Sequence, residues 1–142
     1  MKTLVRTVTT TAPPEKVFPY LVDFTNATEW DAGTVSCTRL SGDGGVGTRY
    51  RNVSKFAGRE VELIYTTEKV EEPTFVIKGS NNTTTSEDII VVRPEGTGSE
   101  VTYTAKFTFS GVGRFFEPFL GPFLNGLGDD LVPSMKTALD RL

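Results

Sequence analysis

Residues 113–142 read GRFFEPFLGPFLNGLGDDLVPSMKTALDRL, and this stretch decides the fold. Apolar residues recur in it every three or four positions, which predicts a helix that packs one face on a core. The stripe consists of Phe116, Leu120, Leu124, Leu127, Leu131, Met135, Ala138 and Leu142. Prolines 118, 122 and 133 interrupt it, and each removes a backbone donor. The pattern therefore predicts a short helix, a break near Gly121-Pro122, and a long helix bent near Pro133.

The chain upstream of this stretch reads mainly as strands. A first strand over Lys2–Thr11 is followed by two short helical segments, one opened by Pro13-Pro14-Glu15 and one over Ala27–Asp31 that carries Trp30. Glycine-rich and proline-containing turns then separate six further strands. These strands are expected at Thr34–Leu40, Arg49–Phe56, Arg59–Glu71, Phe75–Ser80, Thr84–Arg93 and Val101–Phe109.

This order of elements predicts the α+β fold class. Consecutive strands joined by short turns form an antiparallel sheet, and a long sheet twists and curls. The expected architecture is a curled seven-stranded antiparallel sheet around the long C-terminal helix, with two short helices after the first strand. We expect one domain over residues 1–142, a length that supports a core without covalent staples.

Composition limits the partners and the chemistry. The net charge of −3 disfavours a nucleic-acid partner, which needs a basic surface. Cys37 is the only cysteine and histidine is absent, so we expect a reducing compartment, no metal site and no imidazole-based catalysis. No residue pattern predicts a cofactor. No apolar run is long enough to span a bilayer and none at the start reads as a signal peptide, which predicts a cytoplasmic protein.

Three stretches resemble the START-like superfamily, which includes Bet v 1-type plant proteins and bacterial polyketide cyclase/dehydrase-like proteins. They are Ala12–Phe18 with its continuation to Trp30, the glycine-rich Gly42–Thr48, and Gly96–Tyr103. The likeness to the bacterial proteins is the greater one and covers nearly the whole chain. It implies a helix-grip fold with a cavity between the sheet and the long helix, in which an apolar small molecule is held.

We expect that cavity between the last strand and the front of the long helix, where glycines and prolines prevent regular packing. Trp30 is expected near its opening. The glycine-rich loop lacks the lysine and following helix of a phosphate-binding loop, so we expect it to shape the cavity mouth. The residues expected to line the cavity are Trp30, Tyr50, Asn52, Tyr65, Phe75, Tyr103, Phe107, Phe109, Phe119, Phe123, Leu127 and Leu131.

Few side chains are available for acid–base chemistry. The candidates are Tyr65, Tyr103, Glu62 and Asp88, and their spacing singles out no pair. The alternation in Arg49–Phe56 does not decide which face points inward. An inward Arg–carboxylate pair that orients a ligand stays open, although solvated charges on the outer face are favoured.

The sequence therefore favours a protein that binds a hydrophobic, lipid-like or polyketide-like molecule as a carrier or sensor. One alternative is a polyketide cyclase or aromatase-like enzyme that folds its substrate in the pocket. Another is an interaction module with a closed cavity. We expect a monomer or a weak homodimer.

Overall fold

Seven strands and four α-helices make up the chain, and the computed structural model describes residues 1–142. Two short 3-10 turns, Phe24–Asn26 and Glu117–Phe119, join helices. The strands are β1 Lys2–Thr10, β2 Thr34–Ser41, β3 Arg49–Phe56, β4 Arg59–Glu71, β5 Thr74–Ser80, β6 Thr84–Glu95 and β7 Gly98–Phe109. The helices are α1 Pro14–Val22, α2 Ala27–Trp30, α3 Gly113–Phe116 and α4 Gly121–Leu139.

All strands lie in one antiparallel sheet of order β1-β7-β6-β5-β4-β3-β2. The first strand returns to pair with the last, so that Val5 lies opposite Thr104. Helix α4 packs along β1 and α2, and its residues Leu131, Met135 and Leu139 are buried. The predicted fold class, a curled seven-stranded sheet around a long C-terminal helix, is confirmed. No helix is both long and apolar enough to pass through a bilayer.

The turn between β3 and β4 has the predicted tight geometry. Ala57 and Gly58 have φ angles of 52° and 80°, as in a two-residue hairpin of the primed type, and Phe56 pairs with Arg59 across it. In the loop before β3, Gly42 has φ 95°, and a Cβ there would lie 2.6 Å from Thr48 Oγ1. Glycine is therefore required at that position of the loop.

The structure decides which face of β3 points inward. Tyr50 and Asn52 are buried, whereas Arg49 and Arg51 are exposed. Arg51 pairs with Glu62 of the neighbouring strand at 2.9 Å, and both side chains are about half exposed. The charges of this region thus lie on the outer face of the sheet, as favoured from the sequence.

The front of the C-terminal stretch (residues 113–127) and its rear (residues 128–142) contact the rest of the chain differently. Near the rear, the Arg6 guanidinium of β1 donates to Asp129 at 3.0 Å, and Lys136 Nζ donates to the carbonyl of Thr9 at 2.8 Å. At the front, Phe116 is 61% exposed, so the predicted stripe is not continuous. The reason is the change of direction through Glu117–Phe119, which ends α3 and turns its apolar face away from the core.

Candidate functional site

Small residues on the inner face of the sheet leave a hollow. In one row across four strands, Tyr65 of β4 lies opposite Gly79 of β5, which lies opposite Ser86 of β6, which lies opposite Phe107 of β7. The Tyr65 ring lies on the backbone of Gly79, where an added Cβ would come within 2.7 Å of it. Any side chain larger than hydrogen would therefore push this ring into the hollow.

The hollow is roofed by the front of α4 and forms a partly open cavity of about 110 Å³. Its walls come from β3, β4, β6, β7, the segments around α2, and α4. Ten of the seventeen lining residues are hydrophobic. The lining residues are Phe24, Asp31, Asn52, Ser54, Lys55, Phe56, Val61, Leu63, Tyr65, Thr84, Ser86, Asp88, Tyr103, Phe107, Phe109, Leu124 and Leu127.

A buried carboxyl group, that of Asp88, lies in the polar part of the wall. Ser86 Oγ donates to Asp88 Oδ1 at 2.9 Å, and the Tyr103 hydroxyl donates to Oδ2 at 3.1 Å. Asp88 is only 3% exposed, and this burial raises its pKa from 3.8 to about 7 against the opposing effect of the two hydrogen bonds. Asp31 and Glu87 raise the pKa further. Near neutral pH this carboxyl is thus poised between its two protonation states.

Asp31 and Tyr65 also line the cavity, and the pKa of each is raised. Asp31 accepts hydrogen bonds from the Gly33 amide at 3.1 Å and from Thr34 Oγ1 at 3.0 Å, yet burial still raises its pKa. Burial and the nearby Asp88 carboxylate raise the pKa of the Tyr65 hydroxyl well above its usual range. Each group is in its neutral form more readily than it would be in water.

Half of the residues predicted to line the cavity do so. Asn52, Tyr65, Tyr103, Phe107, Phe109 and Leu127 come together in its wall. Their contact with a ligand stays a prediction.

The other six predicted residues lie elsewhere, so their predicted place in the wall is wrong. Tyr50, Phe75 and Leu131 are buried in the core, with at most 2% of their surface exposed, because neighbouring side chains cover them fully. Phe119 is 71% exposed, because the 3-10 turn Glu117–Phe119 directs it to solvent. Phe123 is 52% exposed and packs edge-on against Phe56, with ring centroids 6.2 Å apart, so it lines a shallow depression beside the cavity and not the cavity itself.

Trp30 does not lie at the opening. It is 1% exposed and packs edge-on against Tyr103, with ring centroids 5.9 Å apart, so it supports the wall from behind. The glycine-rich loop also misses the cavity. It lies near Phe18 and Asp23 in a separate surface depression, because it joins the far ends of β2 and β3.

Sequence reasoning missed Asp31 and Ser86 and did not place Asp88 in the cavity, although Asp88 was among the acid–base candidates. One signal was present, since Asp88 directly precedes the apolar run Ile89–Val92 of a central strand. An acidic residue next to such a run is seldom buried without a specific role. Asp31 carries no comparable signal, because it follows a short helix in a loop.

Of the acid–base candidates, Tyr65, Tyr103 and Asp88 come together, and Glu62 lies on the outer face. No three Cys, Asp or Glu side chains are grouped so that they could hold a metal ion. The arrangement can hydrogen-bond a polar group at the inner end of an apolar cavity and can give or accept a proton there.

The sequence and the fold of this chain are similar to those of known proteins. The model of a family described as polyketide cyclase/dehydrase and lipid transport matches residues 1–142. No curated protein matches the sequence.

Several solved structures share the fold. A protein from Thermus thermophilus is similar with a TM-score of 0.82 and 18% identity, and the match covers 97% of each chain. The Zhui aromatase/cyclase from a Streptomyces species also has a TM-score of 0.82, at 12% identity over 99% of this chain and 94% of its own. A START superfamily protein from Mycobacterium smegmatis has a TM-score of 0.75 at 15% identity, over 98% and 94%.

Proposed function

The chain belongs to the polyketide cyclase/dehydrase and lipid transport family, and on this premise we propose that it binds a small hydrophobic molecule in the cavity under α4. One observation supports this most directly: a cavity with mostly apolar walls reaches the buried, hydrogen-bonded group of Asp88 and Tyr103. Apolar surface supplies affinity in such sites, and a few polar groups orient the ligand. The free volume disfavours an interaction module with a closed cavity.

The size of the cavity limits the buried part of the ligand. A cavity of about 150 Å³ holds benzene in another protein, so about 110 Å³ suits one ring or a short branched chain. A shallow depression next to the cavity shares Lys55, Phe56 and Leu127 with it and continues past Phe123. A longer lipid-like or polyketide-like ligand extends along this depression.

We assign the binding to a carrier or sensor role in the cytoplasm, by a monomer or a weak homodimer. Such a role needs only reversible burial of the ligand. The cavity provides this without any covalent step.

A second candidate function is cyclase/dehydrase-like catalysis, and the Asp88 carboxyl favours it. A carboxyl group with a pKa of about 7 is suited to move a proton at neutral pH, and Tyr103 lies within hydrogen-bonding distance of it. The reaction would be proton transfer at a carbon next to a carbonyl group, in a substrate folded by the apolar walls.

Binding is tested with an uncharged apolar dye whose fluorescence rises on transfer out of water. Leu127→Trp adds volume at the roof of the cavity and is expected to weaken dye binding at least about tenfold, at a stability cost of about 1–3 kcal/mol or less. Phe119→Trp is the control, because this side chain is exposed and lies outside the cavity. Equal dye affinity in the wild type and a folded Leu127→Trp variant contradicts the proposed site.

A carrier releases its ligand unchanged, whereas an enzyme releases a product. Native mass spectrometry of the purified protein is expected to show a ligand that remains bound and leaves unchanged on mild heating. Turnover of a poly-β-ketone that is lost in Asp88→Asn and kept in Glu62→Gln identifies the enzyme instead.

A further inference from the structure

We infer that the ligand of this cavity carries a cationic ammonium group, which pairs with Asp88 while its apolar part fills the cavity. The inference rests on the proposed binding function and adds the chemical class of the ligand. Carboxylates of similar size are expected not to bind.

The interior of the cavity is acidic. Two of its lining residues, Asp31 and Asp88, are acidic, and the only basic one, Lys55, is exposed at the edge. None of the ion pairs of the protein involves Asp31 or Asp88. A buried carboxyl without a partner cation becomes neutral more readily, as the raised pKa of Asp88 shows. A cationic ligand would supply the counter-charge that keeps this carboxyl ionised.

The Asp88 carboxylate has spare capacity to accept hydrogen bonds. Each carboxylate oxygen of Asp88 accepts one hydrogen bond from the protein, from Ser86 or from Tyr103. An ionised carboxylate accepts about four. The unused positions accept but do not donate, so they suit the N–H groups of an ammonium and not the oxygens of a carboxylate.

The aromatic side chains of the wall favour a cation independently of the carboxyl groups. Six aromatic residues line the cavity. The electron-rich faces of such rings attract cations, most strongly where water is excluded. The six are Phe24, Phe56, Tyr65, Tyr103, Phe107 and Phe109. Rings together with carboxylates favour an organic cation over both an anion and a neutral molecule.

The test uses three probes of similar size, each with one benzene ring: benzylammonium, benzyl alcohol and benzoate. Their affinities are measured by titration calorimetry at about pH 8, above the Asp88 pKa of about 7. Benzylammonium is expected to bind at least about tenfold more tightly than benzyl alcohol, and benzoate is expected not to bind. Asp88→Asn should bring benzylammonium to the level of the alcohol, whereas Glu62→Gln, on the outer face, should change nothing.

The pH dependence of the unmodified protein gives a second measurement that needs no variant. As the pH falls from about 8 to about 6, Asp88 gains a proton, so benzylammonium affinity should fall while that of benzyl alcohol stays constant. The other ionisable groups in the cavity wall are Tyr65 on β4, Tyr103 on β7, Asp31 after α2 and the exposed Lys55 on β3, and α4 contributes Leu124 and Leu127. The two tyrosines are neutral, because burial raises the pKa of each, and Glu87 lies next to Asp88 on β6 outside the wall.

The outcomes separate this inference from the proposed function. Equal binding of benzylammonium and benzyl alcohol, or tighter binding of benzoate, overturns the ammonium preference and leaves the cavity as a ligand site. Failure of all three probes and of the uncharged dye overturns both. An ammonium affinity that does not change with pH overturns the role of Asp88.

Discussion

The front and the rear of the C-terminal stretch have similar apolar content but different roles. In the rear, Leu131, Met135 and Leu139 are buried against the sheet, and polar contacts from Arg6 and Thr9 hold the helix to β1. In the front, phenylalanines are exposed and the helix roofs a cavity. The exposed front residues are Phe115, Phe116, Phe119 and Phe123.

The difference shows that apolar residues alone do not make a core. The rear of α4 is one continuous helix, although it contains Pro133, and it presents its apolar side chains to the sheet. The front is divided among α3, the 3-10 turn Glu117–Phe119 and the start of α4, so no single face gathers its rings. We therefore attribute folding stability to the rear and ligand binding to the front.

The largest expected effect compares truncations in the two halves. Leu131→Ala should lower the free energy of unfolding by about 2–5 kcal/mol, because it leaves a cavity in a packed region. Phe119→Ala should change it by no more than about 0.5 kcal/mol, since the ring is 71% exposed. Urea unfolding of both variants checks this, and equal losses would remove the distinction between the halves.

The second effect concerns the ionisable groups under the front half. The folded-state pKa of Asp88 lies above its unfolded value, so the native state holds a proton that the unfolded state releases. Stability should therefore fall as the pH rises from about 4 to about 7, by as much as ~4 kcal/mol from this residue. Asp31, whose pKa is also raised, acts in the same direction.

The measurement is the free energy of unfolding in urea at several pH values. Asp88→Asn should remove most of the decline, and Glu62→Gln should retain it, because Glu62 is exposed on the outer face. A decline of equal size in Asp88→Asn would show that the proton is bound elsewhere.

The third effect tests the close contact between the rear of α4 and β1. A Cβ on Gly128 would lie 2.6 Å from Leu4 Cδ1 and 3.0 Å from the Arg6 guanidinium. Gly128→Ala should therefore cost about 1–2 kcal/mol, because buried Leu4 must shift. Thermal unfolding of the variant measures this loss of stability. A variant more stable than the wild type would mean that Leu4 and Arg6 of β1 move aside at little cost.

The smallest effect has the opposite sign and lies two residues earlier. Nothing lies within 4 Å of a Cβ added at Gly126. Gly126→Ala should raise the free energy of unfolding by about 0.5–1 kcal/mol, since alanine loses less entropy than glycine in a helix. A loss of stability comparable to that of Gly128→Ala would show that the front half is packed as closely as the rear.

Much of the fold could be predicted because its signals are local. The bounds of β3 and β4 agree with the structure, since the Ala57-Gly58 turn and Pro73 delimit them. The break before α4 follows from Gly121-Pro122 in the same way. The site was less predictable, because Asp88 belongs to a strand whose apolar run Ile89–Val92 does not alternate and so does not show which face is inward.

The order of the elements, the turns, the antiparallel sheet and the long terminal helix could all be predicted from the sequence, because each depends on residues within a few positions of one another. Tertiary packing fixes the exposure of Phe119 and the burial of Trp30, and it brings Asp88 and Tyr65 into the wall of one cavity. Burial and the register of distant strands depend on partners far away in the chain. A pattern within a few residues of the sequence therefore does not predict these distant partners.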